Sequence, residues 1–243
     1  FVHCTAVAQT LVDFKVDLPS VCAGLLHDIL EDTPVTREEM NREFGDEITR
    51  LVEGVTKIGK VKLRGSTNQI FTENLRKMFV AMAKDIRVVL IRLADRLHNM
   101  TTLDAIPLSK QRRIARETLE IYAPLAERLG MGQLKGELED LAFPYLYPAE
   151  FKSVMEIARP HFIRAEKATR RAIQLIKEQL ESHHLDIKVH GRHKRKYSLY
   201  KKLNRPEIDG DLSKVHDLVA LRIITGSKLD CYAALGLVHD LWQ

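Results

Sequence analysis

Leu25-Leu26-His27-Asp28-Ile29-Leu30-Glu31-Asp32-Thr33 is the stretch on which the reading of this 243-residue chain turns. The apolar spacing predicts one helix over 20–31, with Leu26, Ile29 and Leu30 facing a core. On such a helix His27 and Glu31 are four apart, as are Asp28 and Asp32, so four polar groups able to bind a metal or move a proton share adjacent faces. Three carboxylates within five residues repel one another. One imidazole does not offset that repulsion, whereas a divalent cation does.

A second polar cluster interrupts an otherwise apolar helix, Val88-Val89-Leu90-Ile91-Arg92-Leu93-Ala94-Asp95-Arg96-Leu97-His98-Asn99. A carboxylate in that run needs a partner. Asp95 is one turn from Asn99, and Thr102 lies three residues further on, which places a ligand and two hydrogen-bonding groups along one stripe. His3 offers a third contribution from the chain start. Imidazole and carboxylate donors suit Mn2+, Zn2+ or Fe2+ with positions open for water and phosphate. An isolated His-Asp pair is most often a surface or satisfied core pair, and only the composite of His3, His27, Asp28, Glu31, Asp32 and Asp95 argues for a hydrolytic metal centre. Arg96 and His98 fit a structural contact near the site as well as they fit a role in it.

Composition narrows the class. An apolar content of 45% is enough to bury a core in one large or two small domains. No run reaches the roughly 18 apolar residues of a membrane span, and Phe1-Val2-His3-Cys4 has no signal pattern. The chain opens on an apolar stretch without Met, and its natural start is expected upstream. Cys4, Cys22 and Cys231 form no metal-finger spacing, suit a reducing cytoplasm and receive no chemical role. The net charge of +5 favours polyanionic partners.

Helices are expected over 20–31, 36–54, 69–83, 85–101, 109–129 and 149–183. Thr36 and Glu39 form a capping-box pattern, Gly45 and Gly54 punctuate the segment after it, and 59–67 reads as a mobile polar loop. Composition changes near Pro144 and Pro148. Beyond a long Arg/Lys-rich helix, 186–190 and 218–224 read as strands, with turns at Gly191 and Gly226.

From Lys188 to Arg205 there are eight Lys or Arg and no Asp or Glu. Tyr197 and Tyr200 are interleaved as possible base-stacking faces, so the run fits nucleotide polyphosphate or RNA, and equally a solvated basic helix.

With those residues in hand a resemblance becomes specific. His27-Asp28-Ile-Leu-Glu31-Asp32-Thr33, Phe44-Gly45, Val52 to Lys57, Glu73 to Met78, Leu93 to Met100 and Arg116 to Ala126 resemble, in order, the long RelA/SpoT homologues that make and degrade (p)ppGpp. The resemblance implies a mainly α protein: an all-helical HD-domain phosphohydrolase followed by a truncated α/β nucleotidyltransferase-like synthetase domain. It implies an HD-type hydrolase domain over 1–110, central linking helices over 111–148 and the N-terminal part of a synthetase domain over 149–243. His3, His27, Asp28 and Asp95 would hold Mn2+, Glu31 and Asp32 would be the acidic catalytic pair, and Asn99 and Thr102 would hold the guanosine nucleotide. The implied reaction is attack of water on the 3′-linked phosphate, releasing pyrophosphate and GDP or GTP.

Gly191-Arg192-His193-Lys194-Arg195-Lys196-Tyr197-Ser198-Leu199-Tyr200-Lys201-Lys202 and Asp217-Leu218-Val219-Ala220-Leu221-Arg222 resemble the start of the family's synthetase domain. There Arg192, Lys194, Ser198 and Lys202 would meet the phosphates of ATP and Asp217 would hold Mg2+, for pyrophosphate transfer to GDP or GTP. Thr101 stands where the family usually has Arg, His193 stands where it has Pro, and its basic residues ahead of His3 are missing here. The acceptor-binding loop and second catalytic acid are expected beyond residue 243, so hydrolysis without synthesis is expected of these residues. The implied partners are ppGpp, pppGpp, GDP, GTP and ATP, with ribosome contact left to further C-terminal domains, no membrane, and a cytoplasmic location. A generic HD phosphohydrolase of another nucleotide, and a basic nucleic-acid-binding module with an inactive metal site, are the other readings.

Overall fold

The computed structural model describes residues 2–59, 80, 84–183, 185–215 and 217–242. It divides into two compact units, Phe1–Leu146 and Tyr147–Gln243.

The first unit is helical. α1 (Val2–Asp13) buries Val7, Ala8 and Leu11. α2 (Leu18–Leu26) starts where the Asp17 side chain accepts from the Ser20 N–H, and it ends before His27. A four-residue helix, α3 (Ile29–Asp32), comes next. α4 (Arg37–Gly59) opens on the expected capping box, with the Glu39 N–H donating to Thr36 Oγ1 (3.2 Å) and the Thr36 N–H to Glu39 Oε2 (2.9 Å). Gly45, at φ 81° and ψ 167°, leaves the helical region, so α4 is two helices meeting at a kink and Gly45 is the punctuation the sequence predicts. Gly54, by contrast, is no punctuation: a Cβ there would lie 2.7 Å from Val88 Cγ2, so its bare backbone is what lets the two helices approach.

α5 (Ile86–Thr101) is the wall between two cores. Val88, Ile91 and Ala94 pack with Val7, Leu11, Ala23, Met40, Leu51, Val52 and Val55 of α1, α2 and α4. Val89, Leu93 and Met100 pack into a second cluster with Leu103, Ala115, Ile121, Leu125, Leu134, Leu138 and Ala142. That cluster is built from a 3-10 turn (Leu103–Ala105), α6 (Leu108–Glu117), a π turn (Thr118–Tyr122), α7 (Ala123–Arg128) and α8 (Gly132–Leu146). The helix expected over 109–129 is thus continuous but widened at its centre. Pro124 has no N–H to give its helical acceptor, and the Ala123 N–H reaches back five residues to the Thr118 carbonyl.

The second unit has α9 (Pro148–Ser182), β1 (Ile187–His193), α10 (Lys196–Leu203), a 3-10 turn (Leu212–Lys214), β2 (Val219–Thr225) and α11 (Lys228–Leu241). β1 and β2 pair antiparallel, with Ile187 opposite Thr225 and His193 opposite Val219. Val189, Ile187, Leu221 and Ile223 pack with Ile173, Ile176 and Leu180 of α9 and with Ala234 and Val238 of α11. Gly191 lies inside β1 and makes no turn; a Cβ there would meet Thr169 Cγ2 at 2.7 Å, so glycine lets the strand sit against α9. The mainly α class is borne out. The loop expected over 59–67 and the helix over 69–83 fall almost wholly outside the described residues. Among the described residues no helix is long and apolar enough to cross a membrane.

Candidate metal centre

The expected helix over 20–31 breaks at the residues that matter most. α2 ends at Leu26, Asp28 has φ −96° and ψ −5°, and α3 restarts at Ile29. The four polar groups therefore do not form two stacked pairs on one helix, as the spacing alone predicts. Asp28 occupies the N-cap position of α3 but makes no side-chain cap, which leaves its carboxylate for the site. Its φ/ψ lies in the sparsely populated bridge region, where active-site residues recur.

The break turns His27 and Asp28 toward α1 and α5. His27 Nε2 lies 3.1 Å from Asp28 Oδ2 and 3.7 Å from Asp95 Oδ1. His3 Nε2 lies 3.2 Å from His27 Nε2, 3.3 Å from Asp95 Oδ1 and 3.8 Å from Asp28 Oδ2. His3 Nε2, His27 Nε2 and the Asp28 carboxylate thus converge, all within 4.8 Å of one another, as ligands of one ion must, and Asp95 Oδ1 of α5 lies beside the two histidines. His27 is fully buried, and its Nδ1 contacts the Gly24 carbonyl at 2.8 Å. With the proton on that nitrogen, the Nε2 lone pair faces the cluster. The two imidazoles and the Asp28 carboxylate, with the Asp95 carboxylate beside them, suit a divalent cation.

The electrostatics agree. Burial works against a charged His27, yet Asp28, Asp95 and the Gly24 carbonyl outweigh it and push its pKa up to about 10. Burial likewise opposes ionisation of Asp95, but His27, His3 and Arg92 hold it well below the usual carboxylate range. The cluster favours positive charge at its centre, and a proton on His27 meets that demand as a cation would.

α5 supplies the supports. Arg92 Nη1 donates to Asp95 Oδ2 (3.1 Å), while its Nε and Nη2 both donate to the Val55 carbonyl (3.1 and 2.7 Å). Arg92 Nη2 also lies 3.5 Å from Glu31 Oε1, which brings Glu31 to the edge of the cluster. Asp32 is exposed. Asn99 donates its amide to Asp95 Oδ1 at 2.7 Å, and the Thr102 hydroxyl donates to the His98 carbonyl at 3.3 Å. Arg96 turns away from the cluster: it stacks over Tyr122 at 4.1 Å and pairs with Glu117 at 3.3 Å, the structural alternative of the two weighed for it.

Sequence reasoning missed Arg92 and left His98 open. Arg92 sits one turn before Asp95, and a buried cation in that spacing is the signal that points to it. His98 Nδ1 approaches His3 Nδ1 at 2.8 Å across 95 residues, a contact no local spacing reveals. Burial and the neighbouring His3 lower the pKa of His98.

Residues 1–132 match the family profile described as HD domain. The chain belongs to the HD-domain family. Residues 191–243 match a second profile, described as a region found in RelA / SpoT proteins, so the resemblance carried by the motifs is borne out. This HD-domain chain is 47% identical over 244 residues to a GTP pyrophosphokinase of Myxococcus xanthus, covering 100% of the chain and 32% of that protein. It is 44% identical to a probable guanosine-3′,5′-bis(diphosphate) 3′-pyrophosphohydrolase of Synechocystis, over 99% of the chain and 31% of that protein. It is 42% identical to the bifunctional (p)ppGpp synthase/hydrolase SpoT of Escherichia coli, over 99% and 34%. The HD-domain chain thus spans about a third of the length of the curated relatives it matches.

In the second unit, Lys194 Nζ lies 2.5 Å from Asp217 Oδ2 and Lys202 Nζ lies 2.7 Å from Asp217 Oδ1. Lys194 and then Lys202 hold the Asp217 pKa down at about 2. Arg192, exposed on β1, lies opposite Ala220 across the sheet, and Ser198 lies in the first turn of α10. Tyr197 and Tyr200 are not free stacking faces. Their rings lie 5.9 Å apart and meet Tyr147 at 6.4 and 5.8 Å.

Proposed function

We propose that this chain hydrolyses the 3′-pyrophosphate of ppGpp and pppGpp, giving pyrophosphate and GDP or GTP, with Mn2+ as cofactor. The observation that carries the reading is the convergence of His3 Nε2, His27 Nε2, Asp28 Oδ2 and Asp95 Oδ1 beside Glu31, in a chain similar along its whole length to guanosine-3′,5′-bis(diphosphate) 3′-pyrophosphohydrolases.

His3, His27, Asp28 and Asp95 would hold the ion. When bound, it supplies Lewis-acid polarisation of a phosphoryl oxygen and lowers the pKa of water. Arg92 Nη2, 3.5 Å from Glu31 Oε1, holds that carboxylate at the edge of the cluster. From there it can orient a water and accept its proton. Asp32, exposed and next to Glu31, is the second candidate for that proton. Asn99 in this arrangement orients Asp95, and Thr102 at the end of α5 remains the contact offered to the guanosine.

A second activity belongs to the longer protein in this reading, which works in the bacterial cytoplasm: transfer of pyrophosphate from ATP to GDP or GTP. Asp217, flanked by Lys194 and Lys202, would hold Mg2+, with Arg192 and Ser198 toward the ATP phosphates.

The test is purified protein with Mn2+ and ppGpp, following pyrophosphate release. Turnover abolished by chelator and by Asp95→Ala is expected. Equal turnover of unrelated nucleotides points instead to a generic HD phosphohydrolase, and tight RNA binding without turnover to a nucleic-acid module.

A further inference from the structure

The two histidines of the cluster are held in different ways. His27 Nδ1 meets a backbone carbonyl three residues earlier, that of Gly24 at 2.8 Å, so its own helix fixes its ring. His3 Nδ1 meets a side chain, His98 Nδ1 at 2.8 Å, with the two rings nearly perpendicular at 67° and their centroids 4.7 Å apart.

Two ring nitrogens at that separation share one proton, and which ring carries it decides what His3 can do. A proton supplied by His98 makes His3 Nδ1 the acceptor. Neutral His3 then carries its own proton on Nε2, pointing at His27 Nε2 and Asp95 Oδ1, and it has no lone pair for a cation. A proton on His3 Nδ1, donated to His98, leaves the His3 Nε2 lone pair facing His27, Asp28 and Asp95. Metal-bound imidazoles are regularly held by such an acceptor on their second nitrogen. His98 sits three residues after Asp95 on α5, so one helix face carries both a ligand and the group that aligns a ligand from α1. His98 is not a further ligand in this geometry. Its Nδ1 touches His3 on the ring edge away from the cluster.

We propose that His98 is a positioning residue of the metal centre, accepting the Nδ1 proton of His3 and thereby fixing the tautomer and ring plane in which His3 Nε2 binds a divalent cation. This rests on the metal-centre reading given above.

The test is Mn2+ binding to the metal-free whole chain by calorimetry, with the His3 tautomer read from side-chain 15N shifts. Wild type, His98→Ala, His98→Gln and His27→Ala are compared. His98→Ala is expected to weaken Mn2+ binding about tenfold and to turn His3 from one Nδ1–H tautomer into a mixture. His98→Gln, whose amide oxygen can accept the same proton, is expected to recover most of the affinity, a rescue that a purely space-filling role would not give. His27→Ala is expected to lose binding altogether. If wild type binds Mn2+ and His98→Ala binds it equally well, or if the Gln variant is as weak as Ala, the role of His98 is overturned while the metal centre stands. If wild type itself binds no Mn2+, the metal-centre reading fails and this proposal fails with it.

Discussion

Arg92 and Asp95 stand one turn apart on α5, their charges 3.1 Å apart, and the same guanidinium grips the Val55 carbonyl near the end of α4 through two hydrogen bonds. Both side chains are almost fully buried. Removing one member of such a pair strands the other's charge in a low-dielectric interior. Arg92→Met is therefore expected to cost about 3 kcal/mol of unfolding free energy. Arg92→Lys should recover only part of this, since an ammonium cannot bridge Val55 and Asp95 with a planar fork. Urea denaturation of the three proteins checks this, and a Lys variant as stable as wild type would count against the fork.

Gly54 and Val88 mark where α4 and α5 touch. Gly54→Ala is expected to destabilise by about 2 kcal/mol through overpacking. The double variant Gly54→Ala with Val88→Ala should lose less than the two single effects combined, because the second change opens the space the first one needs. Thermal unfolding of the cycle reads the coupling.

Arg87 joins Asp17 and Glu47 at 2.7 Å each and Asp85 at 2.8 Å, tying the start of α2, α4 and the start of α5. Burial raises the Asp17 pKa, but hydrogen bonds from Ser20 and Arg87 bring it net below 3.8, and Arg87 holds Asp85 below that value too. A depressed carboxylate stabilises the fold above its unfolded pKa, and the contribution disappears as pH falls through the lower folded value. Arg87→Met should thus cost about 1 kcal/mol at pH 7, allowing for solvent screening. It should cost progressively less below about pH 4. Denaturation at a series of pH values tests the convergence.

Asp217 is held at about 2 by Lys194 first and Lys202 second. Lys194→Ala should raise that value toward 3.8, and Lys202→Ala should raise it less. Carboxyl NMR titration of the three proteins gives the order directly, and an unchanged Asp217 would refute the pairing.

Local rules made much of this legible. The capping box at Thr36 and Glu39, the helix over 85–101 and the buried carboxylate Asp95 all follow from spacing within a few residues, because a helix brings groups three and four apart together. The same rule misled at His27-Asp28. Periodicity ran through the motif unbroken, whereas the chain leaves the helix at Leu26 and turns both side chains toward helices that lie elsewhere in sequence. Gly54 and Gly191 misled likewise, since a glycine that opens a turn and one that admits a neighbouring side chain look the same in a sequence.

By itself the sequence determined a mainly α protein with an acidic, imidazole-bearing centre and a basic segment behind it. Only the tertiary structure decided that His3 joins His27, Asp28 and Asp95, that Arg92 locks Asp95 and reaches Glu31, and that His98 backs His3. Those contacts include pairs 24 and 95 positions apart, and 37 in the case of Arg92 and Val55. At such separations no helical period relates the partners, and they meet only because four helices, α1, α2, α4 and α5, bury their apolar faces against one another and bring the polar groups along.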